Sequence, residues 1–348
     1  IAFSADAMIR DLQYEGGRLT LAAGTRGVLF LELRPTAPPV LLGSVADGNS
    51  AWQLAGRGDY LYVISGEQEE PLKRSLQVID ISDPRQPTIT ARQPVIEKLN
   101  ALAVHGDYLL AATSQGLALF SLTDPAQPSR SGFLPLPAAA RCITTLGDLA
   151  FISDAVGSLQ VIDLRNPQLP RLVGTAPIPW TLQPFALGSE MAVHGDLVLV
   201  ADGRNGLLVF SVKDRRRPRL TGVSQLPNGG LAIGVTVAEQ RAYVTDSRQG
   251  LHLIDLRTPE NPQLIATLSN TSWSKRIALI DDQILLANGD AGLMFLPRPV
   301  EIDQPRIGSG NNLTFSLPPN LPAGTYTVRV FNRWSSAELP GALNVGHR

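Results

Sequence analysis

The sequence predicts an all-β protein: a seven-bladed β-propeller closed by its N-terminal strand, followed by a small C-terminal immunoglobulin-like β-sandwich segment. Two observations carry this prediction. A unit of about 44 residues recurs along the chain, and each unit consists of short strands rich in Val, Ile and Leu between turns of Gly, Asp, Asn and Pro. Helical periodicity hardly appears. Four strands of about five or six residues, with their turns, fill such a unit, which is the size of one propeller blade.

Each repeat carries its landmarks in a fixed order. A Gly-Asp turn precedes an apolar run, a small residue then opens a second apolar strand, and a proline pair follows in most repeats, as at Pro84 and Pro87. The strand Leu76–Ile81 is apolar on both faces, which favours a blade packed between two neighbours over a sandwich strand with one wet face. The small residue occurs at Gly27, Ser75, Gly116, Ser158, Gly206, Gly250 and Gly292.

The two ends of the repeat region complement each other. The seventh unit, residues 276–299, has three strands and lacks the fourth. Residues 1–7 resemble residues 41–47, which form the final strand of the first unit. We therefore expect the N-terminal strand to complete the seventh blade, so that the ring closes without an exposed strand edge.

A polar residue recurs five positions after the small residue. It stands at a strand end before a Pro-containing turn, where a side-chain oxygen accepts backbone N–H groups. We therefore interpret it as structural rather than as a ring of functional acids. The position holds Glu32, Asp80, Ser121, Asp163, Ser211 and Asp255.

The composition excludes several classes of function. The chain has 30 Lys and Arg residues against 31 Asp and Glu residues, and its net charge of −1 gives no bulk attraction to nucleic acid or to an anionic membrane. One cysteine, Cys142, excludes internal disulfides and cysteine-based zinc clusters. No apolar run approaches the ~18 residues of a membrane helix. We predict neither a nucleic-acid partner nor direct membrane insertion.

Because the sequence starts at Ile1, we expect a mature product after signal removal or a piece of a longer chain.

The repeats resemble a known family. The run SLQVIDISDPRQP at Ser75–Pro87, preceded by Gly58-Asp59-Tyr60, resembles the LVIVD repeat, and the resemblance covers residues 1–299. It implies a β-propeller. Because that family occurs mainly in bacterial and archaeal surface or secreted proteins, it also implies a cell-surface, extracellular or periplasmic location. It implies no reaction, since the family shares no catalytic set.

The last segment, residues 300–348, departs from the repeat. Residues 326–331 alternate as an antiparallel strand does, and the run Leu321–Asn332 resembles the second half of an IPT/TIG immunoglobulin-like module. We expect a propeller at residues 1–299 and a partial module at residues 300–348. About fifty residues are few for an independent core. Either the segment leans on the propeller, or its missing strands lie outside this chain.

The sequence lacks the common catalytic and metal-binding motifs. It contains no G-x-S-x-G elbow, no P-loop and no H-E-x-x-H spacing. The four histidines, His105, His194, His252 and His347, have no ligand spacing. We predict no catalytic residue, no metal site and no cofactor. Calcium in a hairpin turn such as residues 288–290 is an open alternative, although such turns demand these residue types anyway.

A column of residues at the start of the innermost strands is the candidate binding site. The column lies six positions before the glycine of the Gly-Asp turn, which places its members together if they line the mouth of the central channel. Three cations, an amide and a tryptophan suit an anionic or sugar-like group better than hydrolysis, which needs paired carboxylates. The alternative is that a column this variable is only exposed loop. The column holds Arg10, Trp52, Asn100, Arg141, Ser189, Ile233 and Lys275, with Arg276 beside the last.

Two surface segments are further candidates. The Pro-rich loop at residues 176–190 carries Trp180 and Phe185, which either form an interaction surface or anchor the loop to the ring or to the C-terminal module. The run Lys213–Arg219 is the sharpest basic cluster. We interpret it as a solvated turn, with an anion or partner site as the alternative.

These observations predict a non-enzymatic cell-surface or periplasmic scaffold that binds a protein or glycan partner through its propeller loops. The alternative is an enzyme, a hydrolase or lyase, with its site in the central funnel of the propeller. A third hypothesis is a structural subunit whose strands in residues 300–348 are completed by a neighbouring chain. The fold alone does not decide among them.

Overall fold

The computed structural model of the chain forms two compact units, Ile1–Leu296 and Pro297–Arg348. It describes residues 2–3, 7–34, 37–67, 74–94, 97–177, 190–268, 274, 276–289 and 291–298, together with the backbone of residues 306–307, 313–314, 324–331 and 336–345.

The first unit is a seven-bladed β-propeller, in which each blade is a four-stranded antiparallel sheet. Its strands are β1 (Ala2–Phe3), β2 (Asp11–Glu15), β3 (Arg18–Ala22), β4 (Val28–Arg34), β5 (Ala37–Val45), β6 (Ser50–Arg57), β7 (Tyr60–Gly66), β8 (Arg74–Asp80), β9 (Thr88–Pro94), β10 (Leu99–His105), β11 (Tyr108–Thr113), β12 (Gly116–Ser121), β13 (Ser129–Pro135), β14 (Ala140–Leu146), β15 (Leu149–Asp154), β16 (Ser158–Asp163), β17 (Arg171–Pro177), β18 (Glu190–His194), β19 (Leu197–Ala201), β20 (Leu207–Ser211), β21 (Arg219–Ser224), β22 (Ala232–Ala238), β23 (Arg241–Asp246), β24 (Gly250–Asp255), β25 (Gln263–Leu268), β26 (Arg276–Ile280), β27 (Gln283–Ala287) and β28 (Leu293–Pro297).

Each of the first six blades consists of four consecutive strands, and blade 7 combines the last three strands with the first. Strands β2–β5 form blade 1, β6–β9 blade 2, β10–β13 blade 3, β14–β17 blade 4, β18–β21 blade 5, β22–β25 blade 6, and β26–β28 with β1 blade 7. Helix is limited, in the described residues, to a 3-10 turn at Pro227–Gly229. Across those same residues, no helix has the length and apolar character needed to cross a membrane.

The first strand of each full blade lies innermost. These strands contact one another in ring order, from β2 through β6, β10, β14, β18 and β22 to β26, and β26 returns to β2. They therefore line the central channel. Because strand direction alternates within a blade, the start of the innermost strand and the turn between the second and third strands lie on one face of the ring. We call it the channel-mouth face; the other turns within each blade lie on the opposite face.

The hydrophobic core lies between the blades. Seven buried clusters among the described residues each join the facing sides of two neighbouring blades. In blade 2, Leu76 and Val78 pack toward blade 3, whereas Ile79 and Ile81 pack toward blade 1. This confirms the interpretation of the two-sided apolar strand. Burial of such a side chain contributes about 1.5–3 kcal/mol, so each blade depends on both of its neighbours.

Blade 7 contains strands from both ends of the first unit. Strand β1 lies antiparallel beside β28, with Ala2 opposite Met294 and Phe3 opposite Leu293. The sheet order β1–β28–β27–β26 makes this blade four-stranded. Strand β1 has only two residues, and closure of the ring by the N-terminal strand stays a prediction.

The recurring acid at the end of the third strand holds the turn that follows. The Oδ1 atoms of Asp80, Asp163 and Asp255 accept the backbone N–H groups two residues further on, at 2.9, 2.9 and 2.8 Å. The hydrogen bond from the backbone of Ser82 holds the pKa of Asp80 below its usual value. The structural interpretation is thus confirmed for these three acids.

The second unit contains two antiparallel hairpins. One pairs β29 (Arg306–Ile307) with β30 (Leu313–Thr314), and the other pairs β31 (Gly324–Phe331) with β32 (Ser336–Val345). Strand β31 includes the strand expected from the alternating residues. The immunoglobulin-like sandwich itself stays a prediction.

Candidate functional site

Trp52 and two arginines meet on the channel-mouth face, at blades 1 and 2. Arg10 directly precedes β2, Trp52 lies near the start of β6, and Arg74 begins β8. The guanidinium carbon of Arg10 lies 3.8 Å from the centroid of the Trp52 ring, and that of Arg74 lies 4.6 Å from it. Such cation–π contacts contribute about 0.5–2 kcal/mol each. We call these three residues the Arg–Trp–Arg cluster.

The Arg–Trp–Arg cluster concentrates positive charge in a partly buried place. Burial lowers the pKa of Arg74, and the nearby charge of Arg10 lowers it further. Nη1 of Arg74 donates to the carbonyl oxygen of Leu99 at 3.0 Å. The Nε–H of Arg74 and the indole N–H of Trp52 have no hydrogen-bond partner within the described part of the chain. An anion beside the cluster would offset the repulsion between the two guanidinium groups.

The other members of the predicted column have different surroundings. The side-chain amide of Asn100 donates to the carbonyl oxygen of Ala140 at 2.7 Å and ties blade 3 to blade 4. Burial raises the pKa of Asp202 in blade 5, and the charge of Arg141 in β14 opposes that rise. Ile233 is half-buried in β22. Outside the described residues lie Ser189, Lys275, Trp180 and Phe185.

Arg276 bridges three blades across the channel. From β26 in blade 7, its Nε–H donates to Asp11 in blade 1, and its Nη1–H donates to Oε2 of Glu190 in blade 5 at 2.6 Å. The side chain of Arg276 is 26% exposed, whereas those of Asp11 and Glu190 are 2% and 6% exposed. Burial lowers the pKa of Arg276, but the two carboxylates outweigh it and hold that pKa above its usual value.

The position of these charges explains how the bridge forms. Asp11, Glu190 and Arg276 each lie five residues before the first turn of their blade. Blade 6, which separates blades 5 and 7, has Gly234 at this position and so places no side chain there. Asp11 Oδ2 also accepts the N–H of Leu54 at 2.8 Å, which holds β2 against β6. These charged side chains therefore connect the innermost strands of the blades that carry them.

The sequence prediction included Arg276 but missed its two acidic partners. The predicted column stood six positions before the turn, one residue away from the column that carries the bridge. Gln53 occupies this second column in blade 2, and its Oε1 accepts the N–H of Leu102 in blade 3 at 2.8 Å. A signal was present, because three inner strands carry a charged residue at this equivalent position, and a buried charge needs a partner.

A small cleft lies between blades 4 and 5. Its polar lining includes Ser153, Asp154 and Asp202. Both oxygens of Asp154 are occupied: Oδ1 accepts two backbone N–H groups, and Oδ2 accepts the side-chain amide of Gln160 at 2.8 Å. Asp154 thus stabilises the turn that follows it, through its hydrogen bonds to the backbone of Val156 and Ser158. Among the described residues, no group of three or more His, Cys, Asp and Glu side chains is placed to hold a metal ion.

Comparison with protein families agrees with this architecture. A family model described as LVIVD repeat matches residues 48–92, 138–176 and 229–269, so the chain contains LVIVD repeats. No curated protein matches the chain.

Solved structures share the fold at low sequence identity. A chain in a crystal structure of the mitotic checkpoint complex is similar, with a TM-score of 0.66, 11% identity, and coverage of 85% of this chain and 93% of that chain. The computationally designed Ika8 protein is similar with a TM-score of 0.59, 8% identity, and coverage of 85% and 98%. At these identities the likeness concerns the fold alone. The protein is a seven-bladed β-propeller with LVIVD repeats, and its function has to be argued from its own residues.

Proposed function

We propose that this protein is a non-enzymatic interaction module that acts at the cell surface or in the periplasm. It binds a protein or glycan partner through the loops of its channel-mouth face. The observation that carries the proposal is the Arg–Trp–Arg cluster, in which Arg10 and Arg74 stack on Trp52. A propeller built from LVIVD repeats supplies the rigid scaffold on which such loops are presented.

The residue types of the cluster suit recognition. Trp and Arg are the side chains that most often dominate binding energy at interfaces. The ring of Trp52 holds the two guanidinium groups in place, and a guanidinium fork pairs with a carboxylate, sulfate or phosphate. Because burial lowers the pKa of Arg74 and its Nε–H has no partner in the described residues, an anionic group on the partner is favoured over a neutral one.

The bridge across the channel supports binding at the surface of the ring. Arg276, Asp11 and Glu190 hold the innermost strands of three blades in place. A mouth that is already ordered loses less conformational entropy when a partner binds. The partner therefore meets a preorganised surface.

The alternative function is a hydrolase or lyase with its site in the central funnel. Such chemistry needs a general acid and a general base whose atoms can reach the substrate. Asp11 and Glu190 are carboxylates at the channel, and Arg276 occupies both of them. This favours the non-enzymatic proposal.

Two finer structural proposals accompany this function. We propose that the N-terminal strand closes the ring, and that residues 300–348 form an IPT/TIG-type immunoglobulin-like segment. The remaining strands of that segment come from flanking domains of a longer chain or from a neighbouring chain.

A binding panel tests the proposed function. The labelled full chain is applied to neutral, uronic and sulfated oligosaccharides and to envelope proteins of the organism that makes it. The affinity of the strongest ligand is then measured by calorimetry for the wild type, Trp52→Leu and Arg74→Gln. We expect each variant to lose affinity by about tenfold or more, which is ~1.4 kcal/mol.

The matched control is Phe133→Leu in the outermost strand of blade 3, because Arg130 stacks on Phe133 at 5.1 Å. We expect this control to bind like the wild type. Unchanged affinity in Trp52→Leu, or turnover of a panel member by the wild type, would contradict the proposal.

A further inference from the structure

The turn between the third and fourth strands of blade 5 carries a concentrated positive charge. Residues 213–219 read Lys-Asp-Arg-Arg-Arg-Pro-Arg, and every charged side chain among them is exposed. Five cations against the one carboxylate of Asp214 give this stretch a net charge of +4. The whole chain carries −1, so the remaining residues carry −5. We call residues 213–219 the basic turn.

The fold does not require these arginines. In the basic turn, the N–H of Arg217 donates to the carbonyl oxygen of Asp214 at 3.0 Å, and Asp214 Oδ1 accepts the N–H of Arg216 at 3.0 Å. The turn at residues 83–86 makes the same two hydrogen bonds with Pro-Arg-Gln after its Asp, and the turn at residues 124–127 makes them with Pro-Ala-Gln. Three consecutive arginines therefore serve no purpose in forming the turn.

Blade 5 also lacks the acid that pairs with a cation of this turn in blades 4 and 6. In blade 4, Arg165 pairs with Asp163 two residues before it, and in blade 6 Arg257 pairs with Asp255 in the same way. Blade 5 has Ser211 at the position of that acid. In the part of the chain that the structure describes, none of the five cations of the basic turn forms an ion pair. Their charge is available to a partner.

The backbone of the basic turn packs closely on the neighbouring blade. A Cβ atom added to Gly174 in the outermost strand of blade 4 would lie 2.2 Å from the carbonyl oxygen of Arg215 and 2.8 Å from the ring of Pro218. Glycine permits this close approach. The arginines are therefore displayed from a fixed backbone, which reduces the entropy lost on binding.

We infer that the basic turn is a docking surface for a short acidic segment of a partner protein. Arginine forks pair with carboxylates through two parallel hydrogen bonds. A short segment is favoured over a long polyanion or an anionic membrane, because the net charge of −5 on the rest of the chain repels anionic groups beyond the reach of the turn. That reach is about one Debye length, ~10 Å at 0.1 M salt. The basic turn lies on the face opposite the channel mouth, so this docking is independent of the Arg–Trp–Arg cluster.

The test is the fluorescence anisotropy of a labelled peptide of alternating Asp and Glu, about eight residues long, titrated with the full chain at about 50 mM NaCl. The turn variant is Arg215→Pro, Arg216→Ala and Arg217→Gln, which gives blade 5 the turn sequence of blade 3 and so keeps the fold. We expect its affinity for the peptide to fall by about tenfold or more, with an unchanged melting temperature.

Two controls separate the basic turn from net charge. One removes three exposed arginines elsewhere, through Arg85→Gln, Arg204→Gln and Arg248→Gln, and is expected to bind like the wild type. The other control moves the three arginines to the equivalent turn of blade 3, by adding Pro125→Arg, Ala126→Arg and Gln127→Arg to the turn variant. We expect it to bind the peptide again, now at blade 3.

Three results would overturn the inference. The first is no binding of the peptide by the wild type. The second is an equal loss of affinity in the control that removes Arg85, Arg204 and Arg248, which would show that only the net charge of the chain matters. The third is tighter binding of duplex DNA or of anionic phospholipid vesicles than of the peptide through the same turn, which would make the partner a polyanion or a membrane.

Discussion

Nη1 of Arg276 in blade 7 lies 2.6 Å from Oε2 of Glu190 in blade 5, so an ion pair joins two blades that are not neighbours in the ring. Asp11 of blade 1 binds the same guanidinium group from the other side. Propeller blades ordinarily depend on the apolar contacts with the next blade. Here a polar bridge adds a coupling across the channel, and its contribution can be measured.

Replacing Arg276 by Met should destabilise the ring strongly. Asp11 and Glu190 would remain buried without their cation, and removing one partner of a buried pair costs about 3–5 kcal/mol. Because the side chain of Arg276 is 26% exposed, we expect a loss near the lower end, ~3 kcal/mol, in the free energy of unfolding measured with urea.

The control for that variant is Arg165→Met, whose side chain is 76% exposed and pairs with Asp163. Solvent screens an exposed ion pair, so we expect this variant to lose far less stability than Arg276→Met. Similar losses of unfolding free energy in the two variants would show that the bridge across the channel stabilises the protein no more than an exposed ion pair does.

His252 predicts a stability change in mild acid. It is buried in blade 6, with Nε2 3.4 Å from Asp246 Oδ2 and Nδ1 3.0 Å from Thr267 Oγ1. Burial lowers the pKa of His252 below 6.5, although Asp246 opposes this shift. The unfolded chain therefore takes up the proton first, and the free energy of unfolding falls as the pH drops below about 6.5 until the lower folded pKa is passed.

His252→Gln should remove this part of the pH dependence. Blade 4 has Gln160 at the same position, hydrogen-bonded to an Asp and a Thr in the same way, so the variant has a precedent within the chain. Urea unfolding at several pH values between 8 and 5 measures the effect. An identical slope in the wild type and the variant would mean that His252 does not titrate on unfolding.

A side chain at Gly206 should destabilise the protein more than one at Gly195. It has a φ of 77°, and a Cβ atom there would lie 2.2 Å from the carbonyl oxygen of Ser224. Gly195 in the same blade also has a positive φ, of 56°, but open space around it. We expect Gly195→Ala to cost about 1–2 kcal/mol from backbone strain alone. Gly206→Ala should cost about 1–3 kcal/mol more, because the backbone must move; equal costs in thermal unfolding would contradict the close approach.

Deleting residues 1–6 tests closure of the ring. The deletion removes the partner of β28 and leaves its edge unpaired, as at the edge of any open sheet. We expect a lower melting temperature and association at high concentration, measured by calorimetry and size-exclusion chromatography. A truncated chain that stays monomeric with an unchanged melting temperature would argue that the ring closes without its N-terminal strand.

Most of the ring could be predicted because its determinants are local and repeated. The small residue before each third strand, the acid at its end and the two-sided apolar strand Leu76–Ile81 each follow from neighbouring residues in the chain. Because these features recur along the chain, the length of the repeating unit could be read from the sequence, and that length is the length of one propeller blade.

The site was harder to predict because its contacts are neither local nor repeated. Arg74 ends a charged insertion that has no counterpart in other blades, so no column of equivalent residues contains it. The partners Asp11 and Arg276 stand at opposite ends of the ring, and only its geometry brings them together. Asn100 stands in the predicted column, and its contact with a backbone carbonyl of the next blade is likewise visible only in the folded ring.

Photo-crosslinking in cells of the producing organism shows whether a partner binds at the channel mouth. A benzophenone amino acid replaces Trp52 in one variant and Phe133 in the other, since each residue stacks with an arginine but on different parts of the ring. We expect a discrete crosslinked partner from position 52 and none from position 133. Crosslinks from position 133 alone, or no crosslink from position 52, would contradict a partner site at the channel mouth.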